Sequence, residues 1–200
     1  MEYQIHFYST AQSGSSAKRN LENRKKAADF LQQNGFTPGQ VPSIKEVQQI
    51  QSDLRTHFSL RNTHLYGDNV VVAEDSQGDI VGVTRFYLGH VFDTAMRSNK
   101  LDVAQAHLEK ANLAQLHVSP QARSQGVGKA IVRRAIKEAQ SQGFKQIYGY
   151  AEGDTAALTS FYKDLGFTIE TSNQPESIFG DIAAIIMTSR SGGFYFQKPL

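Results

Sequence analysis

The 200-residue chain contains no cysteine, and its charges nearly cancel at a formal net of +2. Without thiols there is no disulfide framework, no thiolate metal site and no cysteine nucleophile. No apolar run approaches the ~18 residues a transmembrane helix needs, and the N-terminus MEYQIHFYSTAQ lacks the basic-then-apolar pattern of a signal peptide. A soluble, cytoplasmic protein is expected. The six histidines (His6, His57, His64, His90, His107 and His117) show neither HxH nor HxxxH spacing, so no metal site is expected. So small a net charge argues against nucleic acid or an anionic membrane as partner. The one basic cluster, Arg19, Arg24, Lys25 and Lys26, reads as a solvated helix face.

What the chain does have is concentrated in residues 112–142. Leu113, Leu116 and Val118 form a short apolar strand, Pro120 stops it, and Gly126 and Gly128 permit a tight turn. Ile131, Val132, Ala135, Ile136 and Ala139 then recur at helical spacing. A turn whose N–H groups converge ahead of a helix N-terminus, where the macrodipole adds about half a positive charge, is suited to a pyrophosphate. Arg123 and Lys129 flank it with full charges. A Walker P-loop would need Gly at 123 and Ser or Thr at 130, where Arg123 and Ala130 stand; a dinucleotide fingerprint would need Gly at 131, where Ile131 stands.

The remaining pattern, Arg123-Ser124-Gln125-Gly126-Val127-Gly128, matches R/Q-x-x-G-x-G/A, and Phe161-Tyr162-Lys163-Asp164-Leu165-Gly166-Phe167 matches FY-x-x-LGF. Together they resemble the two signatures of the GNAT superfamily of N-acetyltransferases, over about residues 70–190. The resemblance implies a single domain over 1–200, with residues 1–69 supplying a first strand and acceptor-side helices. The implied fold is α/β, a mixed sheet of about six to seven strands with helices on both faces. Acetyl-CoA is the implied co-substrate, with no metal and with a primary amine of a small molecule or peptide as acceptor. A homodimer is possible, and a non-catalytic acyl-CoA-binding module of the same fold is the alternative.

Site residues follow from the same resemblance. Main-chain groups of residues 123–129 (Arg123, Ser124, Gln125, Gly126, Val127, Gly128, Lys129) would hold the pyrophosphate, and those of Leu116 and Val118 the pantetheine arm and thioester oxygen. Thr155 stands where many members have an Asn against that arm, and Asp154 or Thr155 can instead cap the helix. Tyr162 matches the tyrosine near the thioester sulfur. Many members place an acid on the strand before the turn; here that strand offers Gln115, which cannot take a proton, and His117. His117 and Glu152 are therefore the candidate bases, with Glu74, Asp75 and Tyr150 behind them.

Elsewhere, residues 2–9 alternate with Tyr3, Ile5 and Phe7 on one face, predicting a strand. Residues 13–16 would cap a helix from 17 to 33 with Leu21, Ala28 and Leu31 inward and Arg24, Lys25 and Asp29 in water, ended by Asn34-Gly35. Ser43 and Glu46 form a capping box for a second helix to about 57. Residues 69–75 and 79–88 read as a hairpin, 92–110 as an insertion with a helix from 101, and 146–151 and 155–165 as the next strand and helix. Strands are expected at 167–171 and 183–188 with a polar loop at 172–181 between them, and the tail 192–200 is an edge strand, a partner-binding arm or a loose end.

Overall fold

The computed structural model describes residues 2–10, 17–37, 67–170, 176–179 and 192–200, with Lys45, Gln48, Gln49, Ser52 and Thr56 as helical positions in between. The predicted cap at 13–16, the capping box at 43–46 and the strand at 183–188 lie outside the described residues.

The elements are β1 (Tyr3–Ser9), α1 (Ala17–Gln33), β2 (Asn69–Asp75), β3 (Ile80–Leu88), α2 (His90–Arg97), α3 (Leu101–His107), β4 (Lys110–Val118), α4 (Val127–Ser141), β5 (Gln146–Glu152), α5 (Thr155–Asp164), β6 (Thr168–Glu170), α6 (Glu176–Phe179) and β7 (Gly193–Pro199). The strands form one seven-stranded mixed sheet in the order β1-β2-β3-β4-β5-β7-β6. β1, β2 and β3 pair antiparallel, β4 and β5 parallel, and β7 lies antiparallel to both β5 and β6. No helix among the described residues is long and apolar enough to cross a membrane.

The tail is therefore an interior strand. Phe194 and Phe196 alternate inward along it and are buried, so the aromatic run that carried no clear assignment in the sequence is a core strand reached late in the chain. Part of the expected polar loop is helical, at Glu176–Phe179, where Ile178 and Phe179 pack with Val91 and Tyr148. The expected insertion is two short helices, α2 and α3, and β4 begins at Lys110 rather than Asn112.

Two compact units emerge within the chain, the first comprising residues 1–87 and 115–138 and the second residues 88–114 and 139–200; the boundaries fall inside β3, β4 and α4. In the first, Ala27 and Leu31 of α1 pack with Val70, Val72 and Val83, joined at the margin by Tyr8, Phe30, Phe36 and Ile80. Two details of the expected faces are corrected. Tyr8, assigned to the polar face of β1, packs against this cluster, because a strand at the sheet edge is half-covered on both sides. Arg24, assigned to solvent, is 3 % exposed, and the buried stripe of α1 is Asn20, Arg24, Ala27 and Leu31.

In the second unit Tyr162 is ringed by aromatics: stacked on Phe196 at 3.7 Å between centroids, and edge-on to Phe161 and Phe167 at 5.1 and 5.6 Å. A polar chain crosses the adjoining strands, Gln146 donating to Gln197 and Gln197 to Glu170.

The three long helices among the described residues, α1, α4 and α5, end alike. At Gly35, Gly143 and Gly166 the chain turns into the left-handed region (φ +82, +91 and +79). The following residue, Phe36, Phe144 or Phe167, donates its N–H back to the carbonyl of Leu31, Ala139 or Tyr162 at 3.0, 3.1 and 3.0 Å. This is the Schellman closure, in which glycine supplies the left-handed residue and the next apolar side chain folds back over the last turn.

Candidate active site

The turn before α4 is built to leave N–H groups together. After β4, Pro120–Ala122 makes a single 3-10 turn, with Ala122 and Arg123 donating their N–H groups to Ser119 and Pro120. Ser124 then adopts φ +59 and Gly126 φ +81, and the carbonyl of Gly126 accepts the first helical bond, from Ala130 at 3.0 Å. The N–H groups of residues 126–129 thus precede the helical ladder and gather at its positive end. A Cβ built on Gly126 meets nothing nearer than the Tyr3 hydroxyl at 4.0 Å, so it is the backbone conformation, not crowding within the protein, that calls for glycine. The Val127 side chain is buried and approaches Gly82, whose added Cβ would stand 3.0 Å from it; the absent side chain on β3 lets the helix start sit close to the sheet.

Of the flanking groups, Arg123 is exposed and its Nε donates to the Val118 carbonyl at 3.1 Å, pinning the turn to the end of β4. Gln125 donates to the Gln121 carbonyl at 2.7 Å, and Ser124, Gln125 and Gly126 are exposed. Gly128 and Lys129 occupy the first turn of α4, half-buried. Leu116 and Val118 are half-buried on β4. The ladder between β4 and β5 runs from Lys110 to Asn112, so the backbone from Leu113 to Val118 lies beyond it.

His117 is half-buried, with Phe30 and Phe36 rings 5.7 and 5.5 Å away. Its Nε2 is enclosed and has no hydrogen-bond partner among the described residues. Burial first, and the nearby Arg123 charge second, hold its pKa below the usual imidazole value, so it is neutral near pH 7. Gln115, on the same strand, is fully engaged: it accepts from Arg85 Nη1 at 3.0 Å and donates to the Thr37 carbonyl at 3.3 Å, while its own carbonyl accepts from Thr84 at 2.8 Å.

Behind Gln115 lies a charged group that sequence reasoning missed. Arg85 Nε and Nη2 both reach Asp68 Oδ1 at 2.8 Å, and Arg24 Nη1 stands 3.9 Å from Asp68 Oδ2, with all three side chains buried. Arg24 Nε donates to Asn20 at 3.2 Å. Two guanidinium groups against one carboxylate leave this cluster with a positive excess. Burial accordingly lowers the Arg24 pKa, with Asp68 opposing the shift and Arg85 adding to it. The sequence signal was available only in part: Asn20 and Arg24 share the helical stripe of Ala27 and Leu31, but two polar residues there read as surface.

Of the remaining predicted residues, Tyr162, Thr155, Glu152 and Tyr150 belong to the second unit and Glu74 and Asp75 to the first. Tyr162 is 5 % exposed, and burial raises its pKa well above the ordinary phenol value. The Tyr162 carbonyl accepts from Phe167 in the Schellman closure, which explains the Leu165-Gly166-Phe167 part of the second motif as a helix stop that locks the tyrosine's turn. Asp154, not Thr155, caps α5: its Oδ1 accepts from Ala156 and Ala157 at 3.1 Å each. Thr155 is exposed at the first helical position, and Glu152 is exposed at the end of β5. Of the lesser candidates, Glu74 pairs with His6 at 3.5 Å and Asp75 closes the β2–β3 turn by accepting from Gln77 and Asp79 at 2.9 and 3.0 Å. Tyr150 packs on Tyr195.

Comparison with known proteins bears on this arrangement. Mycothiol acetyltransferase of Saccharomonospora viridis is 28 % identical over 130 residues, which is 64 % of this chain and 39 % of that protein, so the chain spans well under half the length of that relative. A GNAT-family acetyltransferase from Streptococcus pneumoniae superposes with a TM-score of 0.55 at 14 % identity, covering all of both chains. Phosphinothricin acetyltransferase from Sinorhizobium meliloti, solved in complex with acetyl-CoA, gives 0.53 at 17 % identity over 100 % of this chain and 89 % of its own. At such identities the structures speak for the fold. Residues 40–167, well over half of the chain, match the acetyltransferase (GNAT) family, and the chain belongs to that family.

Proposed function

We propose that the protein is an acyl-CoA-dependent N-acetyltransferase that passes the acetyl group to a primary amine by direct attack within a ternary complex. The observation that carries this reading is the turn at residues 123–129, with positive φ at Ser124 and Gly126 delivering N–H groups to the start of α4. That construction fits the pyrophosphate of acetyl-CoA, and a related structure is an acetyl-CoA complex. Bound there, acetyl-CoA supplies an activated thioester carbonyl.

The residues divide the remaining work. Arg123 and Lys129 add charge beside the N–H groups of Ser124, Gln125, Gly126, Val127 and Gly128. The backbone of Leu116 and Val118, beyond the ladder with β5, serves the pantetheine arm and offers an N–H to the thioester oxygen as charge develops on it. Thr155 contributes at most an exposed hydroxyl. Tyr162 stabilises the departing sulfur by donating a hydrogen bond. An ordinary phenol lies about 1.5 pKa units above a thiol, a cost of about 2 kcal/mol for full transfer, and burial adds to that cost.

The ammonium must lose one proton before it can attack, and the second N–H proton, shed as the C–S bond breaks, neutralises the departing thiolate. An alkylammonium of pKa about 10.4 is mostly charged at pH 7, about 4.6 kcal/mol from its neutral form. Neutral His117, whose Nε2 has no hydrogen-bond partner among the described residues, takes the ammonium proton ahead of attack and so frees the lone pair that forms the C–N bond; Glu152 is the second candidate.

A second reading has a specific observation behind it. Gln115 stands where many members have an acid and is committed to Arg85 and Thr37, which suits a protein that binds acyl-CoA without catalysis. Release of free CoA from acetyl-CoA across a panel of primary amines decides between them. Turnover with any amine, abolished in Gly126→Glu, supports the enzyme; tight acetyl-CoA binding with no turnover supports the binding module.

A further inference from the structure

We propose that Gln115 is a positioning residue for the acceptor side of the reaction, a two-ended clamp that fixes the chain leaving α1 against β4 and so sets the aromatic wall around His117. The inference rests on the functional reading above for its acceptor role.

The chemistry of the amide dictates its orientation. A guanidinium only donates, so the Gln115 Oε1 must face Arg85 Nη1, 3.0 Å away, and the amide NH2 must face the Thr37 carbonyl at 3.3 Å. Arg85 cannot swing away, because Nε and Nη2 are both held by Asp68 Oδ1 at 2.8 Å in a buried pair. The backbone carbonyl of Gln115 is fixed independently by Thr84 at 2.8 Å. One end of the clamp is thus anchored in the sheet core.

The other end reaches the segment just past α1. Phe36, next to Thr37, closes that helix through its N–H to Leu31 at 3.0 Å, and its ring lies edge-on to His117 at 5.5 Å, with the Phe30 ring tilted against His117 at 5.7 Å. Gln115 and His117 are two apart on β4, the spacing at which strand side chains share a face. Glutamine and not an acid suits this position: a carboxylate could accept from Arg85 but could not donate to Thr37.

Gln115→Glu separates the clamp from mere packing, because it keeps size and the Arg85 contact while replacing the donor with an acceptor and adding a negative charge. The mutated protein should hold acetyl-CoA within twofold of wild-type affinity and be as heat-stable or more so, since the carboxylate offsets the positive excess of Arg24, Arg85 and Asp68. Amide hydrogen exchange should rise at Phe36 and Thr37. The KM for the amine acceptor should rise about fivefold, the loss of one hydrogen bond of about 1 kcal/mol, with kcat within twofold. Gln115→Met, lacking both ends, should show the same exchange and KM changes with lower stability. Unchanged exchange at residues 36 and 37 in Gln115→Glu overturns the clamp. Raised exchange with a wild-type acceptor KM, or an equal loss of acetyl-CoA affinity, overturns its acceptor role. If the wild-type protein acetylates no amine, the functional reading and the acceptor role fail together, and exchange still decides the clamp.

Discussion

Replacing Tyr162 with phenylalanine removes one oxygen from a ring that is otherwise fully supported. The ring is stacked on Phe196 at 3.7 Å and flanked edge-on by Phe161 and Phe167, contacts that need no hydroxyl. Stability should therefore hold, with Tm within about 3 °C, equivalent to roughly 1 kcal/mol in a chain of this size. Turnover should not. A hydrogen bond to a group that becomes negatively charged is worth about 1.5–3 kcal/mol, which predicts a fall in kcat of about 10- to 150-fold with acetyl-CoA affinity nearly unchanged. The raised pKa sharpens the test. A phenol held well above its ordinary value stays protonated through pH 9, so the wild-type kcat profile should show no alkaline limb from Tyr162. Free-CoA release measured from pH 6 to 9.5 on both proteins checks this. An unchanged kcat would remove Tyr162 from the chemistry. A wild-type alkaline limb near pH 8–9 that vanishes in the Tyr162→Phe variant would show full proton donation and refute the hydrogen-bond account.

Asp68→Asn should cost about 3–5 kcal/mol, because it leaves the Arg24 and Arg85 guanidiniums buried without their counter-charge, and chemical denaturation will measure it. Gly166→Ala puts a Cβ at φ +79 and 2.6 Å from Lys198 Nζ; about 1–2 kcal/mol of backbone strain should lower Tm by roughly 2–6 °C, and a wild-type Tm would contradict the helix-stop role. His107, buried on α3, has its pKa lowered to about 4 by burial, then by Lys110, against a backbone hydrogen bond to Phe179 that raises it. Because the unfolded chain takes up that proton first, stability should be full above pH 6.5 and fall as pH drops toward 4. About 2 kcal/mol should be gone at pH 5, a slope absent in His107→Asn. His117→Ala should lower kcat/KM for amines more than tenfold at pH 7 while leaving acetyl-CoA affinity within twofold; equal activity would pass the base role to Glu152.

How far the sequence reached can be judged residue by residue. The α4 stripe and the turn before it were legible because periodicity, a proline stop and glycine spacing all agree there, and Ile131, Val132, Ala135 and Ala139 are indeed buried. The three Gly-Phe pairs at 35–36, 143–144 and 166–167 are equally plain once seen as helix stops, yet only the first was read that way. Arg24 was misplaced for a physical reason: its partners, Asp68 and Arg85, lie far off in sequence, and a buried ion cluster leaves no local periodic signal. The β7 strand escaped for a similar cause. It inserts between β5 and β6, and such non-local pairing is decided by the strands already present rather than by its own nine-residue neighbourhood. The family resemblance points to β4 for the base and so to His117, whereas its Phe30 and Phe36 neighbours come from the fold of the α1 terminus.

The central claim is that backbone N–H groups of residues 123–129 grip the diphosphate of acetyl-CoA. Isothermal titration of acetyl-CoA into the wild-type protein and into Gly126→Glu, with folding of both verified by circular dichroism, tests it most directly. Saturable one-to-one binding by the wild type and none by the variant is the predicted result; equal binding by both, or none by the folded wild type, would contradict it.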